Sequence, residues 1–435
     1  MFLPPFPAGS RSAFVTSPER PLVVQKYGGT SLADPERVRI VAERIAATAV
    51  DHDLVVVVSA PAGATDRLLE SARAVSPEPS PEELDALLVT GEMANAALLS
   101  IALRARGVEA CSYNALQLGI LTDESPGRAR IRDIDCALLA ADLAAGRVPV
   151  VCGFQGATAA GRWTTLGRGG SDTTAVALAA VLGAAECQIY TDVDGVYSAD
   201  PRVVSLPSRR EALSYEEMIE MAGSGAKVLH IRSVEIAGRH RLPLKVLSSF
   251  RSGEGTRVGD VGEGVEGLVL AGLALSPQEA EISVLGLPAR RPVTSRLLAP
   301  LAAHGICLDM IVQNVARDGR IDLSFTVSRA DYARAQALVR DRAGAEGAES
   351  VSGCPSVAKI SLVGLGLRSH PEVSARLFAI LAEEGVAVRM AATAEIRLSV
   401  TVDETEAERA LRALHERLGL GAAPTGGCTP GQSVA

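Results

Sequence analysis

Five short segments of the chain place charged or hydroxyl side chains beside glycines. Lys26-Tyr27-Gly28-Gly29-Thr30-Ser31 is the first. Its glycines let backbone N–H groups approach a phosphate, and its lysine can neutralise the charge. It is neither a Walker-A loop nor G-x-G-x-x-G, and a plain strand–turn–helix fits it equally. Thr165-Leu166-Gly167-Arg168-Gly169-Gly170-Ser171-Asp172-Thr173-Thr174 is the second. An arginine fork suits a carboxylate or a phosphate. The glycines and hydroxyls behind it open a helix whose N-terminus attracts anions. Ser171 or Asp172 as a simple helix cap accounts for one of these residues, not for Arg168 and the glycines together. The third segment runs from Tyr190 to Arg202 and holds Asp192, Asp194 and Asp200, a turn glycine and Pro201-Arg202. It lacks the EF-hand pattern and by itself fits a polar turn. Thr90-Gly91-Glu92 sets an acid where it can complement a helix dipole. Lys227, in Gly225-Ala226-Lys227-Val228-Leu229-His230, carries no chemistry by itself. The six histidines form no metal pattern, and no G-x-S-x-G or H-E-x-x-H occurs.

These segments need elements to position them. Leu22–Tyr27 reads as a strand. Asp34 as N-cap, Pro35 at the first helical position and apolar Val38, Val41, Ala42 and Ile45 predict the helix that follows. The apolar runs Leu54–Ala60 and Val148–Phe154 suit strands buried on both faces of a parallel sheet. Gln188–Val193 is a further strand, and an Ala-rich helix begins near Ser171. Strands alternating with helices predict a layered, mostly parallel α/β sheet.

The chain has 435 residues, 47% hydrophobic, 22% charged and 3% aromatic. That length suits two to four domains. A net charge of −8 argues against broad nucleic-acid binding. Scarce aromatics argue against base-stacking surfaces. No unbroken apolar run is long enough to span a bilayer. Seven scattered cysteines without C-x-x-C read as reduced, cytoplasmic usage and not as a zinc site. Residues 1–20 are rich in Pro and Ser and read as a disordered extension or an early start codon.

After Phe250 the composition shifts. Residues 253–264 read as a linker behind a domain at 21–252. An internal repeat follows. Ile282-Ser-Val-Leu-Gly286 matches Ile360-Ser-Leu-Val-Gly364, Val293-Thr-Ser-Arg-Leu-Leu matches Val373-Ser-Ala-Arg-Leu-Phe, and Ile321–Val327 matches Ile396–Val402. The spacing is about 80 residues, and two copies do not make a solenoid. They predict paired small α/β modules at 265–345 and 356–422, each strand–helix–strand–strand with a closing helix, and a tail at 423–435.

In this order the segments resemble aspartate kinase, of the amino-acid kinase family, from about Leu22 to Leu420. The carriers are K-Y-G-G-T-S at Lys26, V-S-A-x-A-G-x-T at Val58–Thr65, G-E at Gly91, T-L-G-R-G-G-S-D-T-T at Thr165, T-D-V-D-G-V-Y-x-A-D-P-R at Thr191 and G-A-K-V-L at Gly225. Arg368-Ser-His-Pro371 and Gln313-Asn314 are similar to the family's as well, and the repeats resemble its paired, ferredoxin-like ACT domains. The resemblance implies ATP-dependent phosphorylation of the L-aspartate side chain, with Mg²⁺ held largely by ATP oxygens and water. A carboxylate nucleophile is ionised at neutral pH, so no general base is needed.

By that resemblance Lys26 contacts the transferring phosphoryl group and Asp172 orients it. Arg168 and Glu92 hold the α-carboxylate and α-ammonium, with Ser59, Thr65, Gly169, Gly170 and Ser171 beside them. Lys26, Tyr27, Gly28, Gly29, Ser31, Thr191, Asp192, Tyr197, Asp200, Arg202 and Lys227 contact the nucleotide. Asp309, Gln313, Asn314, Ser374 and Glu395 are the implied regulatory positions for lysine and threonine. Homo-oligomerisation through the ACT modules is also implied; nucleic acid and membrane are not. Where the family often has D-x-P-G, this chain has Ala289-Arg290-Arg291-Pro292. S-T-S-E becomes Ala392-Thr393-Ala394-Glu395, and Ala387 replaces a usual Asn. Alanine cannot bind an effector's polar groups, so the expectation is an active kinase with weakened or altered feedback. A kinase for another acidic amino acid and a non-catalytic ACT sensor are the competing readings.

Overall fold

The computed structural model describes residues 20–226, 228–261, 269–289, 292–315 and 319–421. The expected extension at 1–20 (apart from Arg20), the tail at 423–435, Lys227 and the Arg290-Arg291 pair lie outside the described residues.

The strands are β1 (Leu22–Tyr27), β2 (Asp53–Val58), β3 (Ala110–Tyr113), β4 (Leu121–Thr122), β5 (Ile131–Asp133), β6 (Val148–Cys152), β7 (Gln155–Ala157), β8 (Trp163–Thr165), β9 (Glu186–Thr191), β10 (Ala212–Leu213), β11 (Leu244–Ser248), β12 (Thr256–Val258), β13 (Val269–Pro288), β14 (Asp309–Val315), β15 (Arg320–Ser328), β16 (Ser350–Leu365), β17 (Met390–Thr393) and β18 (Arg397–Asp403). The helices are α1 (Pro35–Thr48), α2 (Ala64–Val75), α3 (Pro81–Leu88), α4 (Thr90–Arg104), α5 (Ala137–Ala144), α6 (Gly170–Leu182), α7 (Tyr215–Gly223), α8 (Ile231–His240), α9 (Val293–Ala303), α10 (Tyr332–Glu346), α11 (Pro371–Glu383) and α12 (Glu404–Arg417). They fall into two compact units, one of residues 1–196, 209–222 and 227–263, the other of 197–208, 223–226 and 264–435.

The first unit is built on an eight-stranded sheet in the order β10-β12-β11-β9-β1-β2-β6-β3. Every pairing is parallel except β11 with β12. Val55, Val56, Val57 and Val58 are fully buried, as a strand covered on both faces requires. The Asp34 side chain accepts the Arg37 N–H and caps α1, with Pro35 in the first turn. Val38, Val41, Ala42 and Ile45 of α1 pack into one core with Leu99 and Leu103 of α4. A second sheet, β5-β4-β7-β8, lies in the same unit. Helices α3 and α4 follow one another, and by length and composition Pro81–Arg104 is apolar enough to cross a bilayer. Half of that window is buried in the protein, and it carries buried Asp85, Glu92 and Asn95, so it is a core element.

One expectation needs correction, and the simple-cap alternative at α6 falls as well. The linker reading at 253–264 misses β12, where Thr256 and Val258 are buried and the Thr256 hydroxyl accepts the Val196 N–H. A three-residue strand is too short to show a period. Neither Ser171 nor Asp172 caps α6. Gly169 holds the cap position in the left-handed region (φ 69°), and both residues lie in the first turn.

The second unit holds the sheet β14-β15-β13-β16-β18-β17. The last part of β13 pairs with β15 and with the start of β16, while its first part pairs with the end of β16 (Leu273 with Leu362). One module is therefore late β13, α9, β14, β15, α10 and early β16. The other is late β16, α11, β17, β18 and α12, completed by residues 269–276. The sequential boundaries 265–345 and 356–422 place that strand, and early β16, differently. Side-chain repeats show which segments are alike, not which backbone edge each strand fills.

Candidate active site

Lys26 stands near the carboxyl end of β1, between Val57 of β2 and Ile189 of β9. The carboxyl ends of parallel strands are where such sheets bind ligands. Its ammonium is 2.6 Å from Asp172 Oδ1, with side chains only 11% and 12% exposed. Asp172 sits in the first turn of α6, where the helix dipole favours negative charge.

Glu92, in the first turn of α4, is 3% exposed. Its Oε1 accepts the Ala60 N–H at 3.1 Å, while Oε2 is buried with no hydrogen-bond partner among the described residues. Burial pushes its carboxyl up to about 7, against the pull of the Ala60 N–H. One turn on, Asn95 donates to the Ser59 carbonyl at 2.8 Å and holds the end of β2 against α4.

These groups meet in one cavity of about 250 Å³, lined by Lys26, Ser59, Thr65, Glu92, Arg168, Gly169, Gly170, Ser171 and Asp172, with Phe154 and Gly167. It thus gathers every residue expected for catalysis and substrate binding. Arg168 is exposed and forms no ion pair among the described residues. The left-handed turns at Gly167 and Gly169 (φ 77° and 69°) flank it. A Cβ on Gly169 would come within 2.3 Å of the His230 side chain, so the loop closes only with glycine there.

The expected nucleotide residues are divided between the two units. Tyr27 is fully buried, stacked on Tyr190 at 4.7 Å, and its hydroxyl donates to Gln25. Its side chain belongs to the core. Gly28 donates its N–H to the Tyr190 carbonyl, and Ser31 is buried with its hydroxyl 2.5 Å from that of Ser249. Gly29 packs where a Cβ would lie 2.5 Å from the Ala60 carbonyl oxygen. Thr191 donates its hydroxyl to Asp192, and both belong to the first unit. Tyr197, Asp200 and Arg202 belong to the second. There Arg202 forks onto Asp200 at 3.0 and 2.6 Å.

In the second unit, Ser374 and Glu395 line a cavity of about 440 Å³ with Leu367, Arg368, Pro371, Thr393 and Ala394. Asp309, Gln313 and Asn314 lie instead on the edge strand β14. Asp309 contacts buried Lys359, and Gln313 accepts from Thr294 at 2.9 Å.

The sequence profile of the amino acid kinase family matches residues 21–248, and that of the ACT domain matches 360–418. An aspartate kinase of Pseudomonas putida is 49% identical over 403 residues, 92% of this chain and 98% of its own length. This chain belongs to the aspartate kinases of the amino acid kinase family. Within the aspartate kinases, the aspartokinase of Corynebacterium glutamicum is 45% identical over 406 residues, 92% of this chain and 96% of its own. The structure of E. coli aspartokinase III in complex with aspartate and ADP matches with a TM-score of 0.78 and 29% identity, covering 92% of this chain and all of that one.

Sequence reasoning missed one residue in the aspartate kinase cavity and one behind it. Phe154 lines it with a left-handed backbone (φ 68°), uncommon for a bulky side chain. Its N–H faces the Thr174 hydroxyl at 3.2 Å and its carbonyl accepts the Leu166 N–H. The Gly153-Phe154 break after β6 was the only signal. His230 packs on Gly169, and burial depresses its pKa, with Arg232 and Arg168 pushing the same way and Asp172 opposing.

Proposed function

We propose that the cavity of the first unit binds L-aspartate and that the chain transfers the γ-phosphoryl group of ATP to its side-chain carboxylate, giving 4-phospho-L-aspartate and ADP. One observation carries this reading. The same cavity collects a buried carboxylate oxygen with no partner, an arginine fork and a Lys–Asp ion pair. A zwitterionic dicarboxylic acid has the complementary charges. Glu92 takes the α-ammonium and Arg168 the α-carboxylate, which leaves the side-chain carboxylate for reaction near Lys26.

That carboxylate is ionised at neutral pH, so the transfer moves no proton. Its oxygen forms the new bond to phosphorus as the bond to the ADP oxygen breaks. The protein positions the groups and neutralises charge on the moving phosphoryl. Lys26 does the latter, and Asp172 keeps its ammonium in place. Gly29 and Thr30 offer the leading amides of a short helical turn to the phosphates. Thr191 and Asp192 serve the nucleotide from the first unit. Among the described residues no group of three or more His, Cys, Asp or Glu could cage a metal. Mg²⁺ would be held by phosphate oxygens, water and at most one or two carboxylates, and would shield phosphate charge when bound. A panel of L-aspartate, L-glutamate and N-acetyl-L-glutamate, read by ADP release and by trapping the acyl phosphate with hydroxylamine, tests the assignment. Turnover with aspartate alone is expected; equal turnover with glutamate overturns it.

Glu92 makes the reaction pH-dependent. Its carboxyl titrates at about 7 in the free enzyme and must be ionised to hold an ammonium. We expect kcat/KM for aspartate to rise with pH and level off above about 7. In Glu92→Gln the rise vanishes and kcat/KM is low throughout. A flat wild-type profile would refute this role.

The second unit carries ACT regulation. The cavity at Ser374, Thr393 and Glu395 receives the polar groups of a free amino acid, and Ala394 removes one hydroxyl from it. We expect millimolar lysine plus threonine to leave more than half of the activity. Strong concerted inhibition in a steady-state assay contradicts this. The edge strand β14, with exposed Ile311 and Val315, is the surface on which two copies pair.

A further inference from the structure

We infer that Asp85, outside the cavity, is a positioning residue for aspartate recognition that acts through the Arg168 loop. The inference rests on the reading of Arg168 as the holder of the α-carboxylate. Asp85 lies on α3 and is 1% exposed. No cation pairs with it among the described residues. Its carboxylate accepts three donors instead: the Gly127 N–H at 2.9 Å, the Thr165 N–H at 2.9 Å and the Thr165 hydroxyl at 2.7 Å.

The location explains the need. Strand β8 is the edge of its sheet, so the outward backbone groups of Thr165 have no neighbouring strand. Asp85 takes the N–H, and the Ala129 N–H takes the carbonyl at 2.9 Å. Three residues after Thr165 comes Arg168. Between them stands Gly167, where a Cβ would lie 2.9 Å from the Gly127 carbonyl oxygen. Asp85 therefore holds both the start of the arginine loop and the residue against which that loop rests. A carboxylate suits this place because both oxygens accept. An alanine there would leave the Gly127 N–H, the Thr165 N–H and the Thr165 hydroxyl without their acceptor. A buried carboxylate without a cation is costly, and such groups persist where they enforce one geometry.

The test uses the full chain with Asp85→Ala, Thr165→Val and Arg168→Ala, alone and combined. Arg168→Ala alone must raise KM for aspartate; if it does not, the reading beneath this inference fails, and the inference with it. Given that rise, Asp85→Ala should raise KM for aspartate by about 10- to 100-fold. Its kcat and KM for ATP should stay within about twofold of wild type. Thr165→Val, nearly isosteric, should give a smaller shift in the same direction and serves if Asp85→Ala does not fold. On the Arg168→Ala background either change should add nothing. An additive effect, an unchanged KM for aspartate, or a parallel loss of kcat and ATP affinity overturns the inference in favour of a merely structural role.

Discussion

Lys26→Met should lower kcat by about 1,000-fold at saturating ATP and aspartate, as removal of a charge that stabilises a moving phosphoryl does. The lysine ends a strand buried between two others and reaches Asp172 at 2.6 Å, so its position is set by the sheet and by α6 together. Methionine keeps the length and the packing and removes only the charge. Arginine should not rescue it, because the ammonium already sits beside Gly28 and a planar guanidinium needs more room. KM for aspartate should change little, since Glu92 and Arg168 remain. ADP release measured on protein with an unchanged circular dichroism spectrum checks this. A kcat within about tenfold of wild type removes Lys26 from the phosphoryl-transfer step.

Arg168→Ala should raise KM for aspartate by about 100-fold or more, with KM for ATP nearly unchanged. A bidentate guanidinium–carboxylate pair consists of two charge-assisted bonds, each worth about 1.5–3 kcal/mol. The guanidinium has no internal ion pair to give up among the described residues, and the loop that carries it is already set by two left-handed glycines. Little ordering remains to be done on binding. Arg168→Lys should recover only part of the loss, because an ammonium cannot match the fork. Initial rates over a wide aspartate range decide it, and an unchanged KM overturns the role.

Much of this site was legible in the chain. Asp34-Pro35 with Val38, Val41, Ala42 and Ile45 foretold α1, and the apolar run at Leu54 foretold a strand buried on both sides. The glycines around Arg168 and the acid at Asp172 foretold a built loop ahead of a helix. What failed to show has physical causes. Tyr27 stands in a motif that reads as ligand-binding, yet the alternation of the strand sends its ring into the core against Tyr190. Phe154 carries no mark of its left-handed backbone. Asp85 lies 80 positions from Thr165, and one acid in an acidic helix says nothing about distant donors. The pairing of residues 269–276 with the end of β16 depends on backbone edges that side-chain periodicity does not report.

The sequence by itself determined the family, the parallel sheet, the two repeats and the residue types of the cavity, because local patterns and ordered motifs are properties of neighbouring residues. Only the tertiary structure decided which of those residues meet. It joined Lys26 to Asp172, left one oxygen of Glu92 buried without a partner, and assigned Tyr197, Asp200 and Arg202 to the unit of the ACT modules. Burial and long-range hydrogen bonds, which set both the charge of Glu92 and the footing of the arginine loop, arise when segments far apart in the chain are packed together.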